Sequence, residues 1–162
     1  MHRRPEWHTY SWTGPNQPTM PYEYLPDLAT ADIAFRAWSR TLEGCFVSAA
    51  DALVNAMIDN LDAIQPREER RIELENEALD LLLFDFLQEP IYFKDSEQLM
   101  VRVPEVQIDR QDGKYRLRAT AKGEPLDPER HQQRVDVKAV TLHHFNLQQT
   151  PEGWEATAIL DI

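Results

Sequence analysis

The sequence predicts an α+β fold: a single compact domain with two main helices packed on a largely antiparallel β-sheet. Three observations point there. Two stretches carry apolar residues at three- and four-residue spacing, the mark of a helix with one buried face. Several shorter stretches alternate apolar and polar residues, the mark of strands. Asp112-Gly113 joins two of those alternating runs, a pattern typical of tight β-hairpins.

Residues 1–20 stand apart, with three prolines, two tryptophans and no periodicity. They read as an irregular N-terminal extension, and residues 21–162 as the folded domain. Tyr22 to Leu25 is a short strand, and Asp32 to Trp38 a second, with Ile33, Phe35 and Ala37 on one face. Thr41 to about Asp59 is the first helix. Leu42, Cys45, Phe46, Ala49, Ala50, Leu53, Ala56 and Met57 form its stripe. Thr41 suits the N-cap, where its hydroxyl accepts from a free first-turn amide, and Glu43 suits the positive end of the helix dipole. Cys45 falls on the stripe and reads as a buried structural thiol rather than a nucleophile.

Gln65-Pro66-Arg67 breaks the chain. Arg70 to Glu75 alternates as a strand with one wet face. Asn76 to about Glu89 is the second helix, capped by Asn76, with Pro90 marking its end or a kink. Val106 and Ile108 before the Asp-Gly pair, and Tyr115 to Ala121 after it, make the hairpin. Gly123 to Arg134 is polar, carries two prolines and reads as a long loop. Val135 to Leu147 is a long strand, Pro151-Glu152-Gly153 turns, and Trp154 to Ile162 is the last strand.

Composition narrows the function classes. The formal net charge of −11 repels a phosphate backbone at long range, so direct RNA binding is disfavoured. No apolar run approaches the roughly 20 residues that span a bilayer. The single cysteine cannot form an internal disulfide, which suits a reducing cytoplasm. The chain carries no phosphate-binding loop, nucleotide-binding glycine triplet, serine-nucleophile motif or paired-cysteine metal motif. His143 and His144 are adjacent on a predicted strand. Alternation then points them to opposite faces, away from any shared metal ion.

Three places carry unusual chemistry. Asp32 starts a strand among apolar neighbours, although aspartate is depleted in strands. The sequence ends on Asp161-Ile162, straight out of an apolar strand, so a side-chain carboxylate and an α-carboxylate lie on successive residues. Such oxygens suit a hard cation such as calcium, magnesium or manganese, although the residues alone favour the plainer reading, a strand that simply ends. Lys138 lies between apolar residues on a strand. It sits either on the wet face or near the carboxylates, where it would balance their charge or bind an anion.

The same segments resemble the archease family. Tyr22-Glu23-Tyr24-Leu25, Thr30-Ala31-Asp32-Ile33, Ala37-Trp38 and Thr41-Leu42-Glu43 are similar to its opening. Leu81 to Leu87 resembles its second helix, and Gly123-Glu124-Pro125-Leu126-Asp127 with His131 its polar loop. Val137 to Thr141 and the terminal Asp161-Ile162 resemble its two closing motifs. The order holds from about Pro21 to Ile162. One departure stands out: the family usually has histidine before Thr-Ala-Asp, and this chain has Ala29 there, after a small local insertion at Asp27-Leu28.

The resemblance implies a function. Archeases assist the RtcB-type RNA ligase in tRNA splicing and RNA repair, promoting its guanylylation and multiple turnover. The implied metal ligands are Asp32, Asp161 and Ile162, holding a divalent cation, with calcium first and magnesium or manganese as alternatives. Lys138 and His131 are implied as residues contacting the partner or its phosphates. The expectation is a cytoplasmic, non-enzymatic activator that meets RNA only through the ligase. The competing readings are a chaperone-like interaction module with a purely structural cation site, and a hydrolase using Asp32, Asp161 and a metal.

Overall fold

The structure is a computed structural model that describes residues 22–26, 28 and 32–162. The extension over residues 1–20, together with Pro21, Asp27 and the Ala29-Thr30-Ala31 stretch, lies outside the described residues. Eight strands and two helices follow in the order β1 (Tyr22–Tyr24), β2 (Ile33–Ser39), α1 (Leu42–Met57), β3 (Glu68–Asn76), α2 (Leu79–Glu97), β4 (Leu99–Arg102), β5 (Val106–Gln111), β6 (Lys114–Pro125), β7 (Ala139–Thr150) and β8 (Gly153–Asp161).

The α+β expectation holds, with two sheets where one was expected. The first sheet has the order β1-β2-β8-β7. In the second, β6 pairs along one edge with β3 and shares its other edge between β4 and β5. Every pairing is antiparallel. Both helices touch strands of both sheets and so form a middle layer. Phe46 of α1 meets Phe86 of α2 there, ring centroids 5.8 Å apart.

That position explains α1. A helix between two sheets needs more than one apolar stripe, and α1 buries Ser48, Ala52, Val54 and Asp51 as well as the stripe residues. Its alanines at 49, 50, 52 and 56 keep it thin enough to fit. Thr41 is the N-cap, and the amide of Gly44 donates to its Oγ1 at 3.0 Å. Cys45 is fully buried, and burial pushes its thiol up to about 12, the inert thiol the stripe predicts.

Several boundaries move. Asn76 ends β3 instead of capping α2. Its Oδ1 accepts from the amide of Ala78 at 3.0 Å, and α2 then starts at Leu79 with no side-chain cap. Pro90 does not end α2, which runs on to Glu97 with Pro90 buried inside it. The helix stops at Gln98, whose left-handed backbone (φ 52°) closes the last turn. The loop predicted from Gly123 begins later, because Gly123 and Glu124 pair with β4, a strand only four residues long. Gly123 is required there: a Cβ would lie 1.8 Å from the carbonyl oxygen of Met100.

The long strand also differs. β7 starts at Ala139 and breaks register against β8 between Thr141 and Asn146. His144 takes a left-handed φ of 57° in that bulge. The strict alternation read from the sequence fails there. The rings of His143 and His144 are not on opposite faces but 4.1 Å apart, both exposed on an edge strand.

Candidate functional site at the end of the first sheet

The site is built by strand register. Ile33 of β2 pairs with Leu160 of β8, and Asp161 of β8 pairs with Ala139 of β7. Asp32 is the residue before β2, Ile162 the residue after β8 and Lys138 the residue before β7. All four therefore meet at one end of the β2-β8-β7 ladder, where facing Cα atoms are about 4.5–5.5 Å apart. The amide of Lys138 donates to the carbonyl of Asp161 at 2.8 Å, which pins the two closing motifs together. Alternation puts Asp161 on the same face as Ile159, and Ile159 faces Ala34, so the Asp32 position continues that face.

Asp32 is half-buried, while Asp161 and Lys138 are exposed and Ile162 is an exposed apolar residue. Among the described residues, neither Asp32 nor Asp161 has an ion-pair partner for its side chain. No three His, Cys, Asp or Glu side chains among the described residues lie close enough together to hold a metal ion. Asp32 and Asp161 thus bring two side-chain carboxylates to this sheet end, next to Ile162. Both offer oxygens, the donor type that suits a hard cation.

His131 has a different place. It is fully buried, and both ring nitrogens are occupied within the chain. The amide of Asp127 donates to Nδ1 at 2.8 Å, which fixes the proton on Nε2, and Nε2 donates to Glu124 at 2.8 Å. The expected partner or phosphate contact by His131 is therefore corrected: the ring has no nitrogen to offer and no exposed edge.

Glu124 is what the sequence reading missed. Its carboxylate is buried and accepts from the amide of Gln65 at 2.9 Å, from Arg130 at 2.6 Å and from His131. Arg67 Nε lies 3.1 Å away. Burial pushes its pKa up, but the hydrogen bonds from Arg130, Gln65 and His131 outweigh burial and hold it at about 2. A glutamate between Gly123 and Pro125, seven residues before a histidine, was the available signal.

This lock fixes the start of the segment that leads into β7. Beyond it, the amide of Arg134 donates to Met57 O at 2.8 Å, and Lys94 Nζ donates to Val137 O at 2.9 Å. Val137 is fully buried beside the exposed Lys138. The polar loop thus acts on the sheet end indirectly, by holding Lys138 in place.

A second buried carboxylate, Asp51 of α1, is 2% exposed and receives Arg102 Nε at 3.3 Å. Burial pushes it up to about 6 against the pull of Arg102.

Helices held between two antiparallel sheets, with two aspartates brought by register to the end of the last strand, define a small α+β protein. The family model of the archease proteins matches residues 22–162. An archease of Pyrococcus furiosus is 41% identical over 134 residues, covering 82% of this chain and 94% of that protein. One from Methanopyrus kandleri is 37% identical over 143 residues, covering 88% and 100%. The solution structure of Methanobacterium thermoautotrophicum protein 1598 superposes with a TM-score of 0.77 at 34% identity, covering 89% of this chain and 100% of that one. A Thermotoga maritima crystal structure, described as an archease and possible chaperone, shares the fold at a TM-score of 0.57 and 18% identity. The chain belongs to the archease family.

Proposed function

We propose that this chain is a non-enzymatic activator of an RtcB-type RNA ligase, promoting the ligase's guanylylation and multiple turnover. The observation that carries the reading is the register that brings Asp32, Asp161 and Ile162 to one sheet end in a chain of this family. Asp32, Asp161 and the α-carboxylate of Ile162 would hold a divalent cation, calcium first, then magnesium or manganese. When bound, the cation supplies positive charge beside phosphate oxygens. Lys138 adds a fixed positive charge at the same end. The net charge of −11 turns the rest of the chain away from nucleic acid, so RNA is met through the ligase.

A second reading is a chaperone-like interaction module whose cation site is purely structural. It has in its favour that no three metal-binding side chains cluster among the described residues, and that the Thermotoga relative is described as a possible chaperone.

Ligation and guanylylation assays with purified ligase separate the two. Asp161→Ala should abolish stimulation while the protein stays folded. Two residues added after Ile162 should also abolish it, because the α-carboxylate then leaves the sheet end. A chaperone-like module has no reason to depend on where its chain stops. Normal stimulation by both variants puts the interaction-module reading in front. Calorimetric titration with calcium, on both variants, reads the cation directly and needs no ligase.

A further inference from the structure

The outward side of α2 is partly apolar. Leu81, Asp85, Gln88 and Tyr92 recur at helical spacing and form one column on it. Tyr92 is 57% exposed and Leu81 is 39% exposed. β7 runs beside that column. The Phe84 ring meets Phe145 edge-on at 5.5 Å, and Gln88 Nε2 donates to the carbonyl of Val140 at 3.4 Å. Leu142 lies between those two contacts along β7 and is 60% exposed. Three of the four large apolar side chains that stand exposed among the described residues thus share one strip between α2 and β7. At 1.5 Å per residue, Leu81 to Tyr92 spans about 16 Å, three turns of helix.

The charges along the strip have one sign. α2 carries Asp80, Asp85 and Glu89 beside it, and β7 has no charged residue. Among the described residues, none of these three carboxylates has an ion-pair partner. Burial and the Asp85 charge hold the Glu89 carboxyl above its usual range. Lys94, the one basic residue of α2, is engaged by Asp95, Asp136 and the Val137 carbonyl.

An apolar strip rimmed by unpaired carboxylates suits a surface that is both apolar and basic. It repels a phosphate backbone, and it repels the same strip of a second copy. The bulge between Thr141 and Asn146 breaks the ladder that an added strand would need, so a helix fits here better than a strand. The strip also leads to the carboxylate end. Lys94 holds Val137, and Ala139 pairs with Asp161.

We infer that the α2–β7 strip docks a basic amphipathic helix of a protein partner, laid along Leu81, Leu142 and Tyr92. That the partner is the ligase rests on the proposed function. The strip then supplies affinity, and the carboxylate end supplies activation.

An amphipathic leucine-lysine peptide of about 14 residues, a little longer than the strip, tests the surface without any ligase. Amide signals of Leu81, Tyr92 and Leu142 should shift to saturation, and a leucine-glutamate peptide should shift none of them. Tyr92→Ala with Leu142→Ser should weaken the leucine-lysine peptide about tenfold, as loss of an aromatic anchor does. Asp80→Asn with Glu89→Gln should weaken it at low salt only. Shifts as large over β3 as over the strip overturn the inference, and so does unchanged affinity in the Tyr92→Ala, Leu142→Ser protein. Dimerisation of the protein that Leu142→Glu abolishes also overturns it and assigns the strip to a second copy. With purified ligase, the Tyr92→Ala, Leu142→Ser protein should need about tenfold more for half-maximal guanylylation and reach the same saturated rate. An unchanged midpoint removes the strip from the ligase interface and leaves the proposed function standing. Absence of stimulation by the wild type defeats the proposed function, and the peptide result then decides the strip alone.

Discussion

At the scale of single residues, two buried carboxylates behave in opposite ways, and the difference is their partners. Glu124 is met by Arg130, by the amide of Gln65 and by His131, so its charged form is favoured in the folded state. Its pKa falls from 4.5 to about 2, so its contribution to stability is present above pH 4.5 and is lost as pH drops towards 2. Glu124→Gln should cost about 3 kcal/mol near neutrality, as expected when one partner of a buried charged network is removed. Urea melts across pH should show the gap from wild type closing as pH falls through that window. Asp51 has one long contact to Arg102 and is held at about 6, above its usual 3.8. The folded state keeps its proton after the unfolded chain has lost it, so this group lowers stability as pH rises from 3.8 to 6. Asp51→Asn should gain melting temperature relative to wild type across that window. A constant difference from pH 4 to 7 would show that Arg102 compensates the charge fully.

Elements explain why the polar loop matters. β6 serves three partner strands, and at Gly123 its backbone runs against β4 with no room for a side chain. Gly123→Ala drives a methyl into the Met100 carbonyl, and backbone cannot rotate away as a side chain can. The expected loss is about 1–3 kcal/mol, the usual penalty of overpacking. Amide exchange should show it first in β4 and in Glu124, next to the clash. Protection lost evenly over the whole molecule would argue against a local role. The β7 bulge is the other element with a visible purpose. β7 is an edge strand, and a bulge with two histidines interrupts the row of free amides and carbonyls that invites edge-to-edge pairing.

Across the whole molecule, charge and strand order act together. Asp32 and Asp161 lie at one end of a chain with net charge −11, and neither has an ion-pair partner among the described residues. Removing one charge there should relieve repulsion in the absence of divalent cations. Asp161→Ala should therefore melt at or above wild type in chelator at low salt, and the advantage should shrink as salt screens the repulsion. A lower melting temperature in chelator would mean that Asp161 holds the sheet end together by itself.

What was legible in the sequence is what a few neighbouring residues determine. Thr41 as a cap, the Cys45 stripe, the Asp112-Gly113 hairpin and the positions of the strands β2 and β8 all rest on local geometry, and the structure has each of them. The readings that failed depend on neighbours distant in the chain. Pro90 passes through α2 because that helix is clamped between two sheets, and tertiary burial outweighs one lost hydrogen bond. β4 is too short to show a period, and only its pairing with β6 defines it. His131 looked available because its motif is polar, but Glu124 draws it inside. The carboxylates were readable one at a time, and Asp161 and Ile162 stand together in any conformation. That Asp32 meets them is decided by β2 lying beside β8, a choice made by packing both strands on the shared helical layer rather than by any local pattern.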